Sequence, residues 1–212
     1  MWRKGPLSTS PRLHRHASSF TIRKSRGAPR DVPTPLVFCS ARQWLPEGHV
    51  RSSIYSTSLL EKGFTCIETD FEHPRTQSSV STSKDLMERL SNELKTNLLS
   101  SDLPFPPVIF ANGFASFVAQ TYISSNPAQG LFLISPPSDA NPHPNILPTP
   151  LPKFNYELKF PMALMALPEE MVVLKARSRF TTSDWVDVIE VDNLEGEQAL
   201  AKIEQWLDEL GV

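Results

Sequence analysis

The chain has 212 residues, 40% hydrophobic and 21% charged, enough for one well-buried core with appendages. Its formal charge of −2 is uneven: residues 1–30 hold eight of the 21 Lys and Arg and no acid, so the other 13 face all 23 Asp and Glu, a balance of about −10. Such an acidic body is excluded as a general nucleic-acid binder, which works by neutralising phosphate, and no apolar run approaches the ~20 residues of a membrane-spanning helix.

Residues 1–30 are rich in Arg and Ser and free of Asp and Glu. That composition predicts a mitochondrial transit peptide, drawn inward by the membrane potential; a disordered basic tail or a nucleic-acid-binding arm shares it. Pro6, Pro11, Gly5 and Gly27 argue against a place in the folded core, so the domain is expected over residues 35–212. Within it, strand and helix patterns alternate, which predicts an α/β fold with a mostly parallel sheet of about six strands and helices on both faces. Strands are expected at residues 36–40 and 64–70, with a turn holding Pro46 and Gly48 and a helix at 50–62 between them. A helix at 83–99 follows, with Leu86, Leu90, Leu94 and Leu98 at four-residue spacing.

Further strands are expected at 108–111, 130–135, 162–166 and 186–191. The helix at 114–124 ends at Asn126-Pro127, residues 169–180 read ambiguously as helix, and 196–210 form an amphipathic helix with Leu200, Ile203, Trp206, Leu207 and Leu210 on one stripe. Residues 136–152 contain seven prolines, which forbids regular helix or central strand; the wider stretch 136–160 is expected as a linker or a cap remnant. Cys39 and Cys66 fall in predicted strands and read as buried, reduced thiols in a matrix or cytosolic setting.

The stretch 106–123, PPVIFANGFASFVAQTYI, joins a strand to a helix through a small-residue turn. This resembles the nucleophile elbow of the α/β-hydrolases, G-x-S-x-G, and the order of the surrounding segments extends the likeness from about residue 35 to 212 as a shortened, degenerate member. The resemblance puts Ala111 and Ala115 at the glycine positions, Asn112 before the nucleophile, and Gly113 at the nucleophile itself. Glycine has no atom with which to attack. The resemblance places the acid at Glu169 or Glu170, and a histidine in the loop 192–195, which reads Asp-Asn-Leu-Glu. No histidine follows His143; His49 and His73 lie in earlier loops, and His14 and His16 in the basic leader. Chain order does not exclude a spatial substitute.

Ser116, one turn into the helix, is a weak stand-in nucleophile, and Glu170 a weak acid. The oxyanion turn of the family would fall at Ser40-Ala41-Arg42-Gln43-Trp44, which lacks the close-approach glycine. The expectation is therefore a non-catalytic α/β-hydrolase-like mitochondrial protein, with a crevice lined by Ser40, Arg42, Asn112, Gly113, Phe114 and Pro136 that takes a small apolar ligand or a protein partner. The alternatives are an active esterase or acyl hydrolase using Ser116 or Cys39, and a matrix assembly protein docking through its proline-rich strip. No catalytic residue, metal or cofactor is expected: there is no G-x-G-x-x-G, no phosphate-binding G-x-x-x-x-G-K-[ST], and too few cysteines for a zinc cluster.

Overall fold

The computed structural model describes residues 18–25, 27, 28, 30–72, 82–138 and 147–212. Seven strands form one sheet: β1 (Ser19–Arg23), β2 (Val32–Ser40), β3 (Phe64–Asp70), β4 (Val108–Asn112), β5 (Gly130–Ile134), β6 (Met162–Ala166) and β7 (Val186–Glu190). Their order is β1-β3-β2-β4-β5-β6-β7, with every pair parallel except β1 and β3. The helices are α1 (Pro46–Glu61), α2 (Ser83–Leu99), α3 (Ala115–Ile123), α4 (Pro168–Arg177) and α5 (Glu197–Leu210).

Strands covered on both faces read as continuous apolar runs, and β4, β5 and β6 are buried throughout. Period-two alternation divides them between two cores. Val37, Cys39, Ile109, Leu131 and Leu164 meet α2, α3 and α4 on one face. Leu36, Phe38, Phe110, Phe132 and Met165 meet α1 and α5 on the other. There Phe38, Phe110, Phe132 and Trp206 form a chain of ring contacts at 4.9, 5.2 and 5.2 Å. Gly130 opens β5 because a Cβ there would lie 2.8 Å from Trp206 Cη2.

Three expectations need correction. The domain starts before residue 35: Ser19–Arg23, inside the segment read as leader, pairs with β3, and Phe20 packs on the core. Its alternation is weak, two residues being half-buried and three exposed, which hides an edge strand in a basic stretch. This antiparallel strand raises the strand number to seven. Second, α1 begins at Pro46 instead of residue 50, since proline at the first helical position lacks only an N–H that would be unpaired anyway. Third, the ambiguous 169–180 resolves into α4 and a 3-10 turn, Arg179–Thr182. Of the proline-rich 136–160, residues 136–138 and 147–160 carry no helix or strand, and 139–146 lie outside the described residues, as do 1–17 of the leader.

Candidate functional site

At the carboxyl end of the sheet, β4 enters α3 through Gly113, whose φ of +50° lies in the left-handed region that costs other residues energy. The turn is pinned: Gly113 N–H donates to the Ile134 carbonyl (2.9 Å), and Ser116 N–H to the Gly113 carbonyl (3.1 Å). Strand, tight turn and helix thus take the shape of an elbow. Its apex is covered from the turn after β2. A Cβ built on Gly113 would collide with Leu45 Cδ2, and beside it the Trp44 and Phe114 rings meet at 5.1 Å.

The substitute nucleophiles are buried. Ser116 is fully buried, and its hydroxyl faces back to the Ala111 carbonyl at 3.5 Å, inside the helix–strand junction. Cys39 is fully buried as well, and burial pushes its thiol well above the ordinary range, away from the thiolate form that attacks. Asn112 is 1% exposed and donates from Nδ2 to Ser52 Oγ (3.0 Å), leaving Oδ1 without a hydrogen bond.

A serine, a histidine and an aspartate do come together, in a place chain order did not indicate. Ser40 Oγ lies 3.3 Å from His49 Nδ1 and 2.8 Å from Asp70 Oδ1. A hydroxyl has one hydrogen, and the shorter, charge-assisted contact takes it to Asp70. Ser40 therefore faces the imidazole as an acceptor, the reverse of a nucleophile yielding its proton to a base. At 1% exposure it also lies beyond reach of a substrate. Asp70 further accepts from Arg42 N–H (2.7 Å), with Arg42 Nε 3.5 Å from its other oxygen. A backbone donor of the turn where an oxyanion site would form is thus already paired. Asp70 closes β3, and nothing in the sequence announces His49 as its neighbour.

Glu170 accepts from Ser135 Oγ (2.7 Å) and from Leu167 N–H (3.3 Å), fastening the start of α4 to the end of β5. Ser135 itself sits at φ +44°. The loop after β7, where the resemblance asks for a histidine, sends Glu195 to Arg51, Nε to Oε1 3.7 Å. The neighbouring Leu194 carbonyl accepts from Tyr55 Oη. His73, His143, His14 and His16 lie outside the described residues.

These elements enclose a cavity of about 600 Å³, within the size range of small-ligand clefts. Trp44, Leu45, Phe114, Pro136, Val173 and Leu174 give it an apolar wall, and Glu47, Arg51, Ser135 and Glu170 its polar groups. Of the six residues expected at the crevice, Gly113, Phe114 and Pro136 line this cavity. Ser40, Arg42 and Asn112 are not among its lining: Ser40 and Asn112 are buried, and the mostly exposed Arg42 turns toward Asp70.

No family model and no curated protein matches the sequence. The fold, by contrast, matches α/β-hydrolase structures. An α/β serine hydrolase homologue from Coxiella burnetii superposes with a TM-score of 0.61 at 11% identity, over 91% of each chain. A lidless α/β serine hydrolase from Xanthomonas campestris gives 0.61 at 11%, over 91% of this chain and 87% of that one. An α/β-hydrolase enzyme from a Mar Chica lagoon sediment metagenome gives 0.61 at 12%, over 91% and 96%. At such identities the likeness is one of fold. The chain has an α/β-hydrolase-like fold.

Proposed function

We infer that this α/β-hydrolase-like protein works by binding and not by turnover, and that its ligand is a small, mainly apolar molecule held in the cavity at the carboxyl ends of the strands. The observation that carries this reading is the apex: Gly113 offers no attacking atom, and Leu45 occupies the space into which one would project. The cavity remains because loss of a nucleophile leaves the strand ends and their loops in place. Its aromatic and aliphatic wall favours apolar ligands, while Ser135, Glu170 and Arg51 orient any polar end. Pro136, Pro137 and Ser138, at the start of the stretch where hydrolases commonly insert a cap, line the cavity. Delivery to mitochondria fits the acid-free leader, which on this reading ends before β1, because cleavage after Arg30 would remove Ser19–Arg23 from the sheet.

Purified protein tested with p-nitrophenyl butyrate and a fluorophosphonate probe is expected to give no turnover above a heat-denatured control and no labelling. Labelling that disappears on Ser116→Ala, or ester turnover that survives removal of contaminants, overturns the reading. Residues 1–17 fused to a fluorescent protein are expected to direct it to mitochondria, and a diffuse cytosolic signal would remove the import claim.

A further inference from the structure

On the same side of the sheet as α3 and α4, a second cavity of about 380 Å³ is formed by the coil Leu151, Pro152, Lys153 and Phe154, by Phe117 of α3, and by the end of α4 with the turn after it. Its charged lining is Lys153, Lys175, Arg177 and Arg179, with no Asp or Glu. Four cations converging without an acid are out of character for a body whose balance beyond the leader is about −10. Lys175 and Arg177 stand in the last turn of α4, where cations complement the helix dipole. That accounts for those two but not for Lys153, which arrives on a separate coil.

The four differ in how they are held. Lys175 is 3.5 Å from Glu190 of β7. Arg179 donates to the Tyr156 carbonyl (3.1 Å) and lies over the Tyr156 ring at 4.2 Å, so it is fixed in place. Lys153 and Arg177 have no ion pair among the described residues, and both are exposed at the rim. Between them the floor is apolar: Phe117 and Phe154 stack at 6.4 Å, beside Leu151.

We propose that this groove binds an anionic amphiphile, with a phosphate or carboxylate head between Lys153 and Arg177 and an acyl or aryl body over Phe117, Leu151 and Phe154. Charge-assisted hydrogen bonds from Lys and Arg supply the head-group contacts. The volume is within the range of small-ligand clefts, and the net positive lining draws anions against the negative field of the rest of the domain. The site is separate from the elbow cavity and does not depend on how that cavity is used.

Titration calorimetry with octyl phosphate and with octanoate tests it, and the arm that binds identifies the head group. At least one is expected to saturate with Kd below about 1 mM, more tightly than inorganic phosphate or 1-octanol, and to weaken as salt is raised. K153E/R177E is expected to weaken that binding at least about tenfold, whereas K84E/K95E, with the same charge change on α2, leaves it unchanged. Both pairs are exposed, and circular dichroism confirms their folding. Filling the elbow cavity with Val173→Trp is expected to leave octyl phosphate or octanoate binding intact, which separates the two sites. No saturation with either anion, or equal binding by K153E/R177E, overturns the proposal.

Discussion

Gly113→Ser supplies the atom that an elbow nucleophile requires, and the surroundings of the apex set its cost. A residue with a Cβ at φ +50° pays about 1–2 kcal/mol for the left-handed conformation. Displacing Leu45, whose Cδ2 occupies the new side chain's position, adds about 0.5–1.5 kcal/mol of rotamer cost, since a flexible end can move. Restricting the unfolded chain returns about 0.4–1 kcal/mol. The net loss is about 0.5–3 kcal/mol, or roughly 1–12 °C in Tm for a domain of this size. Differential scanning fluorimetry with urea unfolding reads it, and Gly113→Ala should cost about as much, because the penalty belongs to the backbone and the Cβ. In a double-mutant cycle Leu45→Ala should recover about 0.5–1.5 kcal/mol of the loss, since the two side chains compete for one space. No esterase activity should appear, because the hydroxyl meets no base. An unchanged Tm, or p-nitrophenyl butyrate turnover by Gly113→Ser alone, refutes this account of the apex.

Asp70→Ala should cost about 1.5–3 kcal/mol by urea unfolding, as it strands the Ser40 hydroxyl and the Arg42 N–H, while His49→Ala should cost less than about 1 kcal/mol; comparable losses would mean that the imidazole is part of the brace. Trp206→Ala should lose about 3–5 kcal/mol by the same measurement, since it empties the space between Phe132 and α5. Burial, reinforced by the Glu68 carboxylate and partly offset by Arg23, pushes the Cys66 thiol up to about 12. Below about pH 8.5 it is protonated whether folded or not; between about 8.5 and 12 only the unfolded chain ionises, so stability falls with rising pH by up to about 1.4 kcal/mol per unit. Cys66→Ala should therefore show a shallower fall in urea midpoint from about pH 8 to about pH 10 than the parent protein.

The sheet was legible in the sequence wherever burial leaves a local trace. β4, β5 and β6 read as apolar runs because both faces are covered, and the leucines at 86, 90, 94 and 98 marked the buried face of α2. β1 left no such trace: an edge strand buries little and tolerates charge, so Arg23 there looks like part of a basic leader while it pairs with Glu68 at 3.2 Å. The site was legible only along the chain. The turn identified Gly113, because tight backbone geometry selects small residues locally. The contacts that define its surroundings join distant segments: Leu45 to Gly113, Ser40 to Asp70, Arg51 to Glu195. No periodicity or spacing encodes such pairs.

Those three contacts bear on the inference of binding without turnover more strongly together than singly. Acyl transfer asks for an attacking atom at the elbow, unpaired backbone donors in the turn after β2, and an imidazole from the late loop. Leu45 stands over the first position, the Asp70 carboxylate holds Arg42 N–H in the second, and Glu195 paired with Arg51 comes from the third. Such groups act as a unit, and removing one already abolishes most of the rate advantage. The groups at those places each brace the strand ends: a leucine that packs, a carboxylate with three polar neighbours, and an ion pair beside the buried Tyr55 hydroxyl. A site held in that way keeps its walls and its volume, which the proposed binding role requires.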